Sequence, residues 1–244
     1  MRADHFIYPD WPVPANVKAL QTTRQGGISA APYDTLNLGL HVGDDPVRVN
    51  RNRQLLEPLM PSEPVWLEQV HGTIVANADA AECRVQADAC IARGRGSVCV
   101  VMTADCLPVL LCDEAGTVVG AVHAGWKGLA AGVIEKTVQT MEVSPQKLMA
   151  WFGPAIGKEA FEVGEEVRAA FMAHDATATS AFAPHGVQGK YHADINLLAQ
   201  QRLNALGITR VYGGDFCTYH QRDKFFSYRR DGVTGRMGTF IWLA

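Results

Sequence analysis

Three short segments each close an apolar run on a residue that can bind a metal or attack a substrate. They are E-Q-V-H (68–71), T-A-D-C-L-P (103–108) and V-H-A-G-W-K-G (122–128), and they supply His71, Cys106 and His123. Two imidazoles and a thiolate suit zinc and leave a fourth position for water. A metal held this way acidifies its bound water or polarises a substrate. Cys106 paired with His123 or His71 also makes a nucleophile and its base. Each residue has a structural reading too, as a packing cysteine or a solvated strand-end histidine. No H-x-x-x-H spacing decides among these readings. Asp105 and Glu68 are neighbouring carboxylates that burial could turn into general acids.

Other segments could bind an anion. T-R-Q-G-G-I-S (23–29) carries Arg24, and F-F-S-Y-R-R-D (225–231) carries Arg229 and Arg230. Guanidinium forks suit phosphate or carboxylate. Phe225, Phe226 and Tyr228 could stack on a planar base, or be core aromatics of a surface hairpin. In H-A-G-W-K-G, Gly125 and Gly128 would let backbone approach a ligand, Lys127 adds a charge, and a helix is expected to start near Leu129. The alternative is a tight strand-to-helix turn. It is not a P-loop, because G-x-x-x-x-G-K-[ST] is absent. N-L-G-L-H-V-G-D (37–44) reads as a glycine-punctuated loop with Asn37, His41 and Asp44.

These segments need a scaffold. Apolar runs predict strands at 17–23, 65–70, 97–103, 107–112, 117–123, 147–153, 208–212 and 237–243, the last closing the sheet. Helical spacing predicts helices at 47–60, 129–141, 159–172 and 195–206, the last with Asp194 as N-cap and Gly207 past its end. Interleaved strands and helices place the chain in the α/β or mixed α+β class. Strands outnumber helices, which predicts more than one sheet layer. No linker, repeat or low-complexity segment divides the sequence, so one continuous domain is expected.

The 244 residues carry 22 basic and 25 acidic side chains, a net charge of −3, with 48% hydrophobic and 19% charged residues. A chain this long can bury close to three-quarters of its surface without disulfides. That composition excludes bulk disorder, and it offers no basic excess for nucleic acid or an anionic membrane. No run approaches 18 apolar residues, so a membrane span is not expected. The first fourteen residues lack the apolar core of a secretory signal. The six cysteines, Cys83, Cys90, Cys99, Cys106, Cys112 and Cys217, form no C-x-x-C and fit buried thiols in a reducing cytoplasm.

Together with W-L-E-Q-V-H-G, T-A-D-C-L-P-V, A-V-H-A-G-W-K-G, W-F-G-P-A-I-G and F-E-V-G-E-E-V, these segments run in order along nearly the whole chain. In this the chain resembles the laccase-domain family, also known as multicopper polyphenol oxidoreductases, purine nucleoside phosphorylases or peptidoglycan editing factors. The resemblance implies a single layered domain over residues 1–244, with helices packed outside mixed β-sheets in an αββα-like sandwich. It implies zinc at His71, Cys106 and His123, with His71, Cys106, His123 and Asp105 catalytic. Arg24, Asn37, Gln69, Lys127, Arg229 and Arg230 are then the expected substrate contacts. Many relatives carry arginine where this chain has Lys127.

The implied partners are purine nucleosides and phosphate. The implied reactions are phosphorolysis of adenosine, inosine, guanosine and methylthioadenosine, plus deamination of adenosine. The family names also carry a copper-dependent polyphenol oxidase and an editing role on peptidoglycan precursors. A cysteine hydrolase using Cys106 and a nucleoside-binding module are further readings. None of the eight histidines forms a His-x-His pair, which argues against a four-copper oxidase. Copper in the N₂S site stays open, because copper binds such donors more tightly than zinc. No oligomeric state is read from the sequence.

Overall fold

The computed structural model describes residues 2–80 and 85–244. Its strands are β1 (Phe6–Ile7), β2 (Val17–Thr22), β3 (Val75–Asn77), β4 (Ala89–Ala92), β5 (Val98–Thr103), β6 (Leu107–Asp113), β7 (Val119–Ala124), β8 (Leu148–Phe152), β9 (Glu162–Gly164), β10 (Phe182–Pro184), β11 (Lys190–Ala193), β12 (Val211–Gly213) and β13 (Met237–Leu243). Its α-helices are α1 (Pro46–Gln54), α2 (Trp126–Ala131), α3 (Val133–Met141), α4 (Glu165–Met172), α5 (Ile195–Ala205) and α6 (Tyr228–Asp231).

Two sheets form the centre. One has four strands in the order β1-β2-β13-β5, the other six in the order β12-β8-β6-β7-β4-β3, and a small third sheet is β10-β11-β9. The central strands are apolar on both faces because both faces are covered. Cys99 and Val101 of β5, Ile241 and Leu243 of β13, Leu110 and Cys112 of β6, and Val119 and Ala121 of β7 pack between the two sheets. The alternate residues point outward. Val109, Leu111, Val122 and Ala124 join Val133, Ile134, Leu198 and Leu203 of α3 and α5 in one outer core. Val98, Val100, Phe240 and Trp242 meet Leu36, Leu38 and Leu56 in the other. This is the expected mixed α/β layering.

Local readings were refined by tertiary context. β13 lies between β2 and β5 and does not close the sheet. Among the described residues the 65–70 segment makes only isolated bridges, Val65 with Cys99 and Glu68 with Gln86. The helix expected over 47–60 ends at Gln54 and continues as a 3₁₀ turn. The helix expected over 129–141 starts earlier, at Trp126, and breaks at Gly132, whose φ of +95° ends α2. Strand β9 occupies part of the run expected as helix 159–172, and α4 begins after Gly164. Asp194 does cap α5, accepting from Leu197 N at 2.9 Å. Phe225 and Phe226 are fully buried core residues, and the segment after them is the short helix α6.

Cys90, Cys99 and Cys112 are buried free thiols, while Cys83 lies outside the described residues. Burial pushes the Cys112 thiol up to about 12 and Cys99 up as well. Among the described residues no helix is long and apolar enough to cross a membrane.

Candidate metal centre and its cavity

Register explains why His123 and Cys106 meet. β6 and β7 pair antiparallel with Leu107 opposite Ala124 and Pro108 opposite His123. Cys106 ends the tight turn from β5, and His123 sits one residue from the end of β7, so both lie at the same end of these two central strands. The side-chain period of two puts His123 on the face of Val119 and Ala121, toward the other sheet. His71 arrives on the loop before β3. Its Nε2 lies 3.7 Å from Cys106 Sγ, and the His71 and His123 ring centroids are 4.7 Å apart. All three ligand atoms lie within 4.8 Å of one another, and among the described residues this is the one such group.

The spacing fits one ion. Tetrahedral zinc with ordinary Zn–N and Zn–S bonds places its nitrogen and sulfur donors about 3.6 Å apart. The donors present are those of a mononuclear site.

Asp88, at the head of β4, holds the centre together, and the sequence reading missed it. It is fully buried. Its Oδ1 accepts from His71 N at 2.8 Å and contacts His123 Nδ1 at 2.8 Å. Its Oδ2 accepts from Gly72 N at 2.6 Å and Val70 N at 3.2 Å. One carboxylate thus fixes the ring of one ligand and the backbone of another, leaving His123 Nε2 for the centre. His71 is held at φ +61° by this nest of N–H groups. Burial alone would raise the Asp88 pKa, but the His123 imidazole and the Gly72 and Val70 amides outweigh it and hold the group below the usual carboxylate range. The only sequence signal for Asp88 was one acid inside the apolar run A-D-A-C-I-A.

Without a metal, the surroundings favour a thiolate on Cys106 beside a protonated His123. Burial opposes ionisation of Cys106, yet His123 and His71 beside it bring the thiol from 9.0 down to about 6. Burial likewise opposes the charge on His123, yet the Cys106 thiolate and Asp88 raise it to about 9. A depressed thiol is the form that ligates metals or attacks electrophiles.

Gly125 is required by close approach. A Cβ there would lie 2.7 Å from His71 Cδ2 and 3.0 Å from Cys106 Sγ. This packing against the ligands, rather than approach to a phosphate, accounts for the glycine.

The trio opens on a cavity of about 550 Å³, within the range of small-molecule sites. Ile156, Phe161, Ile195 and Trp126 make a continuous apolar wall at the edge of the outer core. Of the expected contacts, Gln69, Asp105, Lys127 and Arg229 line the cavity. Gln69 exchanges two hydrogen bonds with the Met102 backbone, at 2.8 and 2.7 Å, and so pins its loop to β5. Both Asp105 oxygens are engaged, accepting from Thr218 Oγ1 at 2.6 Å and Arg229 N at 2.7 Å. Arg229 is braced by Glu162 O at 2.9 Å.

Arg24, Asn37 and Arg230 are placed elsewhere. Arg24 lies over Phe226, donates to Asp34 O at 2.9 Å and lines a separate open hollow. Arg230 donates to the carbonyls of Thr218, Tyr219 and Phe225 at 2.7 to 2.9 Å. Asn37 is buried and stitches the 37–44 loop, bonding Gly39, Asp44 and Arg236 N. Glu68 is exposed and is not among the cavity residues. The cavity also takes His41, Tyr228 and Arg236, of which only Arg236 had drawn no attention in the sequence.

Residues 18–244 match the family model described as multi-copper polyphenol oxidoreductase laccase. The chain belongs to this family. Within the laccase-domain family it is 55% identical over 241 residues to a protein of Escherichia coli named purine nucleoside phosphorylase YfiH, covering 98% of each chain. It is 52% identical over 238 residues to a purine nucleoside phosphorylase of Pseudomonas aeruginosa, again covering 98% of each. A crystal structure of a Neisseria meningitidis protein of the same family superposes with a TM-score of 0.94 at 50% identity, covering 98% of this chain and 99% of that one. That of YlmD from Geobacillus stearothermophilus gives 0.87 at 30% identity, covering 100% and 97%.

Proposed function

We propose that this laccase-domain chain is a purine nucleoside phosphorylase with zinc at His71, Cys106 and His123. The carrying observation is one cavity in which that trio, an apolar wall and the cations Lys127, Arg229 and Arg236 converge. The names of the relatives support the same reaction. Adenosine, inosine, guanosine and methylthioadenosine are the proposed substrates, and the cytoplasm the proposed compartment, given the free thiols.

In the reaction a phosphate oxygen bonds to C1′ as the C1′–N9 bond breaks. The bond pair leaves with the purine, which takes up a proton, and ribose 1-phosphate remains. The purine plane lies against Phe161, Ile156, Ile195 and Trp126, which exclude water from its face. The cations hold the phosphate next to the sugar, converting a three-body encounter into a positioned one. Asp105 is a positioning residue: it anchors Arg229 through its backbone. Zinc, when bound, supplies a Lewis acid that polarises a substrate oxygen or acidifies water, the chemistry that adenosine deamination needs. Copper would occupy the same donors.

A second reading follows from one observation. Cys106, His123 and Asp88 are also arranged as a nucleophile, base and orienter, which is the layout of a cysteine hydrolase.

Chromatography of metal-assayed protein with adenosine, with and without phosphate, separates these readings. Phosphate-dependent adenine and ribose 1-phosphate are expected, and Cys106→Ala should lose both metal and turnover. Full activity of metal-free protein, abolished by alkylating Cys106, would establish the hydrolase instead.

A further inference from the structure

We infer that Arg236 and His41 form a phosphoryl subsite at the edge of this cavity. The inference deepens the phosphorylase reading and rests on it for the identity of the anion.

Arg236 is half-buried and, among the described residues, has no carboxylate within ion-pair reach. Three other well-covered arginines have one: Arg24 faces Asp34, Arg202 faces Glu135 and Arg230 faces Asp231. Burial lowers the pKa of Arg236, and the charges of Cys106 and Asp105 oppose this only from a distance, with no ion pair or hydrogen bond to either. A guanidinium drawn partly out of water with no direct counter-charge is costly. Such a group marks a place where a ligand supplies the missing anion.

The surrounding loop is built to hold it. Nη1 donates to Thr234 O at 3.1 Å and Gly235 O at 3.0 Å, which fixes the plane of the fork. Nε and Nη2 have no partner among the described residues, and these two form one bidentate edge. The backbone N of Arg236 donates to Asn37 Oδ1 at 2.9 Å, so the 37–44 loop and the start of β13 are one unit. Gly39 lets two side chains approach at once. A Cβ there would stand 2.9 Å from Arg236 Cγ and 3.4 Å from His41 Cε1. The guanidinium carbon also lies 5.9 Å from the Tyr228 ring centroid, within cation–π range.

Charge agrees with geometry. Outside the ligand trio, the cavity holds Lys127, Arg229 and Arg236 against the single carboxylate of Asp105. Their balance is the complement of a phosphate dianion. His41 is kept toward its neutral form by burial and by Arg236 and Arg53, so it can donate or accept beside the guanidinium. This gives the N-L-G-L-H-V-G-D loop a purpose: it carries His41 and frames Arg236.

The same chemistry would take free phosphate or the phosphate of a nucleotide, so the test has two arms. Zinc-loaded protein is titrated with inorganic phosphate and, separately, with adenosine 5′-monophosphate, and phosphorolysis is followed over a range of phosphate. Arg236→Gln removes a charge-assisted fork and should raise KM for phosphate about 10- to 100-fold, with KM for the nucleoside within about threefold. Arg236→Lys keeps the stem over Gly39 and the charge, so it should fold as the parent does. Its single point charge should still raise KM for phosphate. A KM for phosphate within about twofold of the parent in Arg236→Gln overturns the subsite while leaving the phosphorylase reading intact. If the parent makes no purine from any nucleoside, the phosphorylase reading fails. The titrations then decide alone: loss in Arg236→Gln of the binding of either probe supports the subsite, and binding by Arg236→Gln equal to the parent's, or no binding of either probe by the parent, overturns it.

Discussion

Replacing Asp88 by Asn tests how the centre is held. The side chain accepts from three backbone N–H groups and contacts the imidazole of His123. An amide keeps one acceptor oxygen. In one orientation its NH₂ faces Val70 N and Gly72 N, and in the other it faces His71 N and His123 Nδ1. Either way two donors that are at least partly buried lose their acceptor and meet another donor. At about 1–3 kcal/mol for each unsatisfied group, the variant loses about 2–6 kcal/mol of stability. The ligands are also released: His123 loses its orienting partner and the His71 loop loses its nest. Removing such a partner lowers metal affinity about 10- to 100-fold. Chelator competition measures the affinity and thermal unfolding of metal-free protein measures the stability. Zinc affinity within about twofold of the parent, with an unchanged Tm, would refute the argument that Asp88 sets the geometry of both histidines.

Other predictions concern the same centre. Alkylation of Cys106 in metal-depleted protein should follow a midpoint near pH 6 rather than 9, since the thiol is depressed to about 6, and metal should suppress it. The sign of the linkage is set by that depression: the stability contributed by the thiolate is fully present above pH 9 and is lost as pH falls through about 6. Unfolding of metal-depleted Cys106→Ala across this range should lack that component. Gly125→Ala should weaken metal retention at least tenfold while circular dichroism stays unchanged. Its backbone, at φ −65° and ψ 154°, suits alanine, and the new Cβ collides only with His71 and Cys106. A parent-like metal content in that variant counts against close packing as the reason for the glycine.

The sequence pointed to His71, Cys106 and His123 because each closes an apolar run at a strand end or loop, a pattern local enough to read, and the fold brings the three together. Asp88 stayed hidden because its role depends on β4 pairing with β7, with Ala89 opposite Val122 across 33 residues of chain. That register is a tertiary fact. The arginines show the same limit. Arg24, Arg229, Arg230 and Arg236 are equivalent as residue types, yet two are tied to backbone carbonyls away from the cavity and two face it. Helical spacing ran unbroken through Gly132 and Gly164, where one positive φ and one strand entry divide it. The buried strands were legible for the opposite reason: β5, β6 and β7 are covered on both faces, so their composition alone announces them.

The pairing of β6 with β7 has a practical consequence. His123 reaches the centre only while Pro108 stands opposite it. A slip of one residue would turn the imidazole to the helix side of the sheet and bring valine or alanine to the centre. Both faces are apolar, so such a mispaired hairpin could still be covered and compact. The metal-to-protein ratio of a purified batch is therefore a quality assay for the hairpin. On the proposed metal site, material that is monodisperse, fully reduced and yet does not load on dialysis is expected to contain misregistered chains that light scattering would pass as native.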